Sequence, residues 1–177
     1  MHFNGRIPFV TGTAMFIYQK GGRIQTLIQS IKYNGSKEVA RQMGQLYGEV
    51  LREASLYRKI EVILPVPIHP KKKKTRGFNQ SAWFGRGLSE AMDVPLHLDV
   101  LKRDVAGESQ TKHNRWERAE NLLNAFSLAD KTPLKDKHVL LVDDVLTTGA
   151  TLESIARTAW EAQPASIRFC TIAMGLR

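Results

Sequence analysis

Apolar residues recur along the first third of the chain at helical spacing. At positions 24–31 and again at 39–51 they fall three or four residues apart, which predicts two amphipathic helices. The Asn-Gly pair at 34–35 favours a turn between the two helices. Residues 13–18 come before them and have the composition of a short strand, which the glycine pair at 21–22 would end.

The rest of the chain alternates apolar runs with helix-forming segments. Short apolar runs bounded by turn residues predict strands that are buried on both faces. Strands that alternate with helices predict an α/β fold with a doubly wound, mostly parallel sheet. The predicted strands are 60–66, 96–101, 139–142 and 166–173, and the predicted helices are 79–92 and 152–162.

One long polar segment interrupts this alternation. Residues 103–121 are charged and poorly periodic, apart from a short helical pattern at 115–123, and they predict a mobile loop. Loops of this length inside a compact domain are uncommon and are usually functional or disordered. We therefore predict a small N-terminal strand-helix lobe over residues 1–56 and an α/β domain over 57–177, with 103–121 as a mobile loop of that domain.

The positive charge of the chain is concentrated. The net charge is +9 at pH 7, and residues 71–118 hold eleven Lys and Arg against six Asp and Glu. A basic surface attracts phosphorylated metabolites and nucleic acid through the same long-range field, so charge alone leaves both classes of ligand open.

Other compositional features exclude some classes of protein. No apolar run approaches the roughly 20 residues of a membrane-spanning helix, and residues 1–20 do not resemble a secretory signal, so we expect a cytoplasmic protein without membrane insertion. The single cysteine, Cys170, cannot form a disulfide or a cysteine zinc site within one chain. Its place in the apolar run 167–173 predicts a buried thiol.

The densest chemical signal is the segment 139–151, Val-Leu-Leu-Val-Asp-Asp-Val-Leu-Thr-Thr-Gly-Ala-Thr. It places Asp143 and Asp144 at the carboxyl end of a buried strand, the edge at which open α/β sheets bind ligands. The hydroxyl-rich turn that follows opens a helix, where backbone N–H groups form an anion site and Gly149 permits close approach. The turn suits a monophosphate and the acids suit vicinal hydroxyls, so ribose 5-phosphate satisfies both. No Gly-Lys-Ser/Thr of a nucleoside triphosphate P-loop is present.

This segment resembles the 5-phosphoribosyl-1-pyrophosphate signature of type I phosphoribosyltransferases. Four apolar positions, two acids, two apolar positions and Thr-Thr-Gly-Ala-Thr all match. The resemblance implies the type I phosphoribosyltransferase fold and a substrate-binding loop whose ribose 5-phosphate contacts come from Asp143, Asp144, Thr147, Thr148, Gly149, Ala150 and Thr151.

Further motifs lie outside segment 139–151: Leu-Pro-Val-Pro-Ile-His at 64–69 and Arg-Gly-Phe-Asn-Gln at 76–80, followed by Arg103, Gln110, Thr111, Arg115 and Asn121. Together they give a second, narrower resemblance, to the ComF family of competence-associated phosphoribosyltransferase-like proteins. Members commonly carry an N-terminal cysteine zinc ribbon that this sequence lacks, so we expect either a short form or a chain that begins after that module.

Within type I phosphoribosyltransferases, the loop after the first sheet strand binds pyrophosphate, and a mobile segment closes over the substrate as a hood. The resemblance implies that residues 103–121 form this hood loop here. By this resemblance, the pyrophosphate loop begins at Pro67 and includes the lysine run 71–74. For His69, packing in the turn and ligand contact stay open alternatives. The residues so implied are Pro67, Ile68, His69, Lys73, Lys74, Arg76, Asn79 and Gln80 in and after the loop, and Arg103, Gln110 and Arg115 in the hood.

The resemblance also implies Mg²⁺, which Asp143 or Asp144 would contact directly or through water. We expect a protein that binds phosphoribosyl pyrophosphate and transfers the phosphoribosyl group to an acceptor that the sequence does not identify, and no catalytic residue is assigned. The alternatives are a non-catalytic sensor of phosphoribosyl pyrophosphate or a nucleotide, and a DNA-uptake accessory that binds single-stranded DNA or competence proteins. The oligomeric state stays open, with a homodimer as one alternative.

Overall fold

The computed structural model describes residues 10–19, 21–33, 37–103 and 125–175. Six strands and five α-helices lie in this part of the chain, together with a short 3-10 helix at Thr132–Leu134. The strands are β1 (Val10–Tyr18), β2 (Val62–Pro65), β3 (Leu101–Arg103), β4 (Phe126–Leu128), β5 (His138–Leu146) and β6 (Ser166–Gly175), and the helices are α1 (Arg23–Tyr33), α2 (Lys37–Glu53), α3 (Pro70–Arg76), α4 (Gln80–Met92) and α5 (Ala150–Trp160).

Four strands form one sheet in the order β1-β6-β5-β2, and every pairing in it is parallel. β3 and β4 form a separate antiparallel pair. The predicted α/β fold with a mostly parallel sheet is confirmed. β1 and α1–α2 belong to the predicted N-terminal lobe, yet β1 is an edge strand of the same sheet as β5 and β6. The boundary between lobe and domain at residue 57 stays a prediction.

Helices cover both faces of this sheet, as a doubly wound fold requires. Successive residues of a strand point to opposite faces, so Val139 and Leu141 pack with α5 residues such as Ile155 in one buried cluster. Leu140 and Val142 pack with residues of α2 and α4 in the other cluster. The apolar runs of the sequence therefore correspond to strands that are buried on two sides.

Helices α2 and α4 pack closely at their glycines. A β-carbon added to Gly44 would collide with the carbonyl oxygen of Phe84, and one added to Gly87 would collide with that of Arg41. The contact therefore joins backbone to backbone. This contact holds α4 against α2 and so fixes the position of the N-terminal end of α4.

Two predicted elements differ from the structure. The predicted strand 96–101 is wrong over most of its length: Leu96 makes a single parallel bridge to Ile63, and Leu101 begins β3. The backbone of Ile63 accepts from His97 at 3.0 Å and donates to Pro95 at 2.9 Å, after which the chain turns away and exposes Leu98.

The lysine run is helical, where a pyrophosphate loop was predicted. α3 begins with Pro70 in its first turn, and the His69 side chain accepts a hydrogen bond from the backbone N–H of Lys71 at 3.2 Å. It ends at Gly77, whose φ of 77° lies in the left-handed region and whose N–H donates to the Lys73 carbonyl. Capping at both ends explains how a highly charged seven-residue segment forms a helix.

The connections after β2 and β5 leave the sheet in different directions. β2 and β5 are neighbours, paired from Val62 with Val139 to Pro65 with Val142. The chain after β2 continues to α4 on one face, whereas the chain after β5 continues to α5 on the other face. Such a switch point opens a crevice at the carboxyl ends of the strands.

Two further predictions concern single features. Cys170 is fully buried, as predicted, and burial raises the pKa of its thiol. None of the helices in the described ranges combines the length and the apolar character that crossing a bilayer needs.

Candidate functional site

A cleft of about 450 Å³ occupies the crevice at the carboxyl ends of β2 and β5. This volume is within the range of roughly 300–1,000 Å³ that is typical of small-molecule sites. Four parts of the chain line it: α1, the segment from the end of β2 to the start of α4, the end of β3, and the end of β5 with the start of α5. The lining residues are Gln25, Ile28, Gln29, Val66, Pro67, Ile68, His69, Lys72, Arg76, Asn79, Gln80, Ser81, Arg103, Asp143, Asp144, Val145, Thr147 and Thr151.

The acid pair lies within β5, which continues past the predicted strand end to Leu146. Asp143 and Asp144 are both half-buried. The Asp143 carboxylate accepts hydrogen bonds from the Ser81 hydroxyl at 3.0 Å and from the backbone N–H of Asp144 at 2.8 Å. Because Ser81 is in the first turn of α4, this contact ties the end of β5 to the start of that helix.

The turn after β5 has the geometry of an anion site. Gly149 adopts a φ of 83°, a left-handed conformation that favours glycine, and α5 begins at the next residue. Thr147 and Thr148 are exposed, and the Thr148 hydroxyl accepts from the Ala150 N–H at 3.4 Å. The first N–H groups of an α-helix lack helical acceptors and carry the positive end of its dipole, so this turn favours an anionic group.

Asn79 lines the cleft at the start of α4. Its side-chain oxygen accepts from the Ser81 N–H at 3.2 Å and so caps α4, while its amide nitrogen donates to the Val66 carbonyl at 2.9 Å. The side chain therefore holds the segment after β2 against the start of α4. A ligand contact of Asn79 stays a prediction.

Gln80 presents a buried amide beside the cleft. The side chain is 2% exposed, and its oxygen accepts from Arg76 at 3.3 Å. Because Arg76 is a donor, the amide oxygen must face it and the NH₂ group must point elsewhere. That nitrogen is buried without a hydrogen-bond partner among the residues that the structure describes. An unpaired buried donor costs about 1–3 kcal/mol, which an acceptor on a ligand would offset.

Arg103 contributes a half-buried cation to the same cleft. Its guanidinium lies over the ring of Phe126, 5.3 Å from the ring centroid. Burial lowers the pKa of Arg103, and the nearby Asp143 carboxylate opposes that shift. The arginine therefore remains a cation next to the acid pair. The other two predicted hood residues, Gln110 and Arg115, lie outside the described residues.

The predicted site residues within the described ranges divide into three groups. Eleven of them line one cleft: Pro67, Ile68, His69, Arg76, Asn79, Gln80, Arg103, Asp143, Asp144, Thr147 and Thr151. Thr148, Gly149 and Ala150 complete the turn between Thr147 and Thr151. Lys73 and Lys74 are exposed on α3 and do not line the cleft, whereas Lys72 does. Ligand contacts of Lys73 and Lys74 therefore stay predictions.

Sequence reasoning missed two contributions to the cleft. Ser81 follows the helix cap Asn79 by two residues, a position from which a hydroxyl can reach the end of a neighbouring strand. Gln25, Ile28 and Gln29 come from α1, which was assigned to the N-terminal lobe. The apolar spacing of this segment predicted a helix but not its place in the site, because the packing of α1 over the carboxyl edge of the sheet is a tertiary contact.

Asp143 and Asp144 are the candidates for a metal contact. Carboxylate oxygens are hard ligands that suit Mg²⁺, which is commonly bound by one or two carboxylates together with substrate phosphates and water. Within the described ranges, no three His, Cys, Asp or Glu side chains are grouped closely enough to hold a metal ion by themselves. The acid pair therefore fits a Mg²⁺ ion that arrives with a phosphorylated ligand.

Over more than half of its length, the chain matches a known protein family. The model of the phosphoribosyl transferase domain matches residues 79–176, from the cap of α4 to just past β6. Among solved structures, glutamine phosphoribosylpyrophosphate (PRPP) amidotransferase from B. subtilis, complexed with ADP and GMP, is similar with a TM-score of 0.51 at 18% sequence identity. The match covers 76% of this chain and 26% of that chain, and it bears on the fold alone.

Curated relatives are similar over a comparable part of the chain. Competence protein F of Haemophilus influenzae is 33% identical over 138 residues, which are 76% of this chain and 60% of that protein. DNA utilization protein YhgH of Escherichia coli strain K12 is 31% identical, with the same two coverages. Competence protein ComFC of Bacillus subtilis is 24% identical and is covered to 57%. The chain thus spans about 60% of the length of these relatives.

Proposed function

The chain belongs to the phosphoribosyl transferase domain family and has the type I phosphoribosyltransferase fold, and from this we propose that its cleft binds 5-phosphoribosyl-1-pyrophosphate with Mg²⁺. The observation that carries the proposal is the convergence of an acid pair, a helix-opening Thr/Gly turn and a basic wall on one cleft. Each of the three suits one part of that ligand.

The ribose 5-phosphate part is proposed to bind along the end of β5. The turn around Gly149 and the start of α5 would receive the 5-phosphate through backbone N–H groups and the hydroxyls of Thr147, Thr148 and Thr151. Asp143 and Asp144 would accept hydrogen bonds from the two ribose hydroxyls. The bond from Ser81 holds the Asp143 carboxylate in place for this contact.

The pyrophosphate part is proposed to face α3 and the start of α4. Lys72 and Arg76 supply positive charge there, and α4 directs its N-terminal end toward the cleft. The unpaired NH₂ group of Gln80 would donate to a pyrophosphate oxygen. Arg103 stands beside Asp143 as a further cation.

If the protein is an enzyme, the reaction is transfer of the phosphoribosyl group. A nitrogen nucleophile forms a bond to ribose C1 as the bond from C1 to pyrophosphate breaks, and the leaving pyrophosphate keeps the electron pair. A Mg²⁺ ion held by Asp143 or Asp144 would neutralise charge on the leaving pyrophosphate. The described residues position the ligand and stabilise its charges, and no general acid or base is assigned. A sensor would use the same contacts without turnover, so pyrophosphate release with a panel of acceptors separates the two functions.

A second candidate function rests on α3. All four lysines, 71 to 74, are exposed on this helix, and only Lys72 also lines the cleft. Relatives named as competence and DNA utilization proteins make single-stranded DNA the ligand to test on this surface. Such binding would weaken with salt, because phosphate contacts release counterions.

The test of the proposed function is calorimetric binding of ribose 5-phosphate, and of phosphoribosyl pyrophosphate with Mg²⁺. Thr148→Val and Asp144→Asn remove a hydroxyl or a charge from the proposed contacts. Each is expected to weaken both ligands roughly ten- to a hundredfold, since a hydrogen bond to a charged group is worth about 1.5–3 kcal/mol. Thr11→Val and Asp99→Asn, exposed and outside the cleft, are the matched controls. Unchanged affinity in both site variants would place the ligand elsewhere.

A further inference from the structure

We propose that α1 forms the acceptor side of the cleft and selects an uncharged heterocyclic base over a carboxylated one. This inference rests on the proposed function, because it concerns the part of the cleft that the ribose 5-phosphate and pyrophosphate groups would not occupy. The proposal starts from three residues that no sequence motif marked: Gln25, Ile28 and Gln29.

These residues form one surface of the helix. Positions three and four apart fall on the same face, so the two carboxamides flank the isoleucine. Ile28 is buried, with 6% of its surface exposed, whereas Gln25 is half-buried and Gln29 is exposed. The α1 wall therefore offers an apolar contact between two hydrogen-bonding groups.

The polar atoms of Gln25 have defined roles. Its side-chain oxygen accepts a hydrogen bond from the Gly21 N–H at 2.6 Å, which fixes the orientation of the amide. The NH₂ group is the remaining polar group of that side chain. Gln29 offers both a donor and an acceptor, because a carboxamide carries one of each. Together they match a ring that carries amide-like donors and acceptors at its edge.

Charge separates the α1 wall from the other walls of the cleft. Lys72 and Arg76 line the side assigned to pyrophosphate, and Arg103 lies beside Asp143. The three α1 residues that line the cleft are all uncharged. A carboxylate that packs against Ile28 would have to leave water without a cation among these three residues, and burial of an unpaired charge is costly. An uncharged base avoids that cost.

The experiment compares ligands that differ only at the base. Calorimetric dissociation constants are measured for ribose 5-phosphate, GMP, UMP and orotidine 5′-monophosphate, of which the last is UMP with one added carboxylate. At least one of GMP and UMP, whose bases are uncharged, is expected to bind about tenfold more tightly than ribose 5-phosphate, given roughly 0.5–1.5 kcal/mol for each of two hydrogen bonds. Orotidine 5′-monophosphate is expected to bind more weakly than UMP.

Two variants test whether α1 is the source of this selectivity. Gln29→Leu, at an exposed helical position where folding is not at risk, is expected to remove about threefold or more of the nucleotide gain over ribose 5-phosphate. Gln29→Arg places a cation on the wall and is expected to shift the preference toward orotidine 5′-monophosphate by about tenfold. Gln42→Leu, an exposed glutamine of α2 outside this cleft, is the matched control and should leave all ratios unchanged.

The outcomes separate this inference from the proposed function. If ribose 5-phosphate does not bind the wild-type chain, the proposed function fails and the inference fails with it. If ribose 5-phosphate binds but the nucleotides gain nothing, or orotidine 5′-monophosphate binds more tightly than UMP, the inference alone is overturned. It is also overturned if Gln29→Leu weakens ribose 5-phosphate and the nucleotides by the same factor.

Discussion

Two residues near the acid pair each have a buried polar atom without a hydrogen-bond partner among the described residues. In the described part of the chain, the NH₂ nitrogen of Gln80 and the hydroxyl of Thr171 are both buried and unpaired. Gln80 lines the cleft, where a ligand oxygen would satisfy its amide. Thr171 is fully buried in β6, paired with Asp143 across the sheet, and does not line the cleft. A ligand can therefore offset the cost at Gln80, whereas the cost at Thr171 persists.

We predict that Thr171→Val stabilises the protein. Valine has nearly the shape of threonine, and the change removes a buried hydroxyl that has no partner in the described residues, for a gain of about 1 kcal/mol in the free energy of unfolding. Denaturant titration measures this gain. Thr158→Val is the matched control, because the buried Thr158 hydroxyl donates to the Ser154 carbonyl at 3.2 Å, and no gain is expected there. A loss of stability in Thr171→Val would mean that its hydroxyl has a partner.

At the scale of elements, the site depends on where α4 is held. Its first turn provides Gln80 and Ser81, and its middle packs on α2 through Gly44 and Gly87. Both glycines meet backbone atoms, which cannot move aside as a side chain can. The position of the start of α4, and with it the contact of Ser81 with Asp143, therefore depends on a helix contact about two turns further along α4.

Gly87→Ala is predicted to destabilise the protein by about 3 kcal/mol, at the upper end of the cost of overpacking. The reason is the collision of the new methyl group with the carbonyl of Arg41. Thermal or denaturant unfolding measures the change. Gly85→Ala is the control in the same helix, because its methyl group would meet the end of the Leu96 side chain at 3.1 Å, which can yield. Equal effects of the two substitutions would show that helix packing is looser than described.

The sequence predicted the elements that a regular pattern specifies. β5, α5 and β6 follow from apolar runs and a Thr/Gly turn, and all three are confirmed. α3 was missed because four consecutive lysines have no apolar period, although Pro70 and Gly77 are ordinary helix-end residues. The segment 96–101 has the composition of a strand, but only Leu96 pairs with the four-stranded sheet, through a single bridge to Ile63. Pairing partners are a property of the tertiary fold.

The residues of the candidate site could likewise be predicted only where they lie close together in the sequence. Residues within one connection, such as Asp143 and Thr147, could be assigned because the motif and the strand end are adjacent in the sequence. Gln25 and Gln29 could not be assigned, since only the packing of α1 brings them to the carboxyl edge of the sheet. The contact between Ser81 and Asp143 likewise joins two elements whose adjacency the sequence does not state.

At the scale of the whole molecule, the positive charge can serve two kinds of ligand, a phosphorylated metabolite and a nucleic acid. The net charge of +9 attracts any polyanion, but only Lys72 of the lysine run lies on the cleft. Lys73 and Lys74 are exposed on the same helix outside the cleft. Neighbouring lysines can therefore separate metabolite binding from nucleic-acid binding.

We predict that Lys72→Ser lowers affinity for phosphoribosyl pyrophosphate more than affinity for ribose 5-phosphate, because only the former carries pyrophosphate. The Lys73→Ser, Lys74→Ser double variant is the comparison. If these two lysines contact single-stranded DNA, the double variant should weaken its binding and flatten the log-salt slope by roughly 0.7 per lysine. Binding of both small ligands and of DNA is measured by titration. An equal loss for both small ligands in Lys72→Ser would contradict a pyrophosphate contact.

The central claim is that the cleft at the carboxyl ends of β2 and β5 binds phosphoribosyl pyrophosphate, and its most direct test is one calorimetric titration. The wild-type chain is titrated with phosphoribosyl pyrophosphate and Mg²⁺, first alone and then in the presence of saturating ribose 5-phosphate. The account predicts saturable binding at one site per chain, displaced by ribose 5-phosphate because both ligands use the turn around Gly149. Absence of binding, or binding that ribose 5-phosphate does not displace, would contradict it.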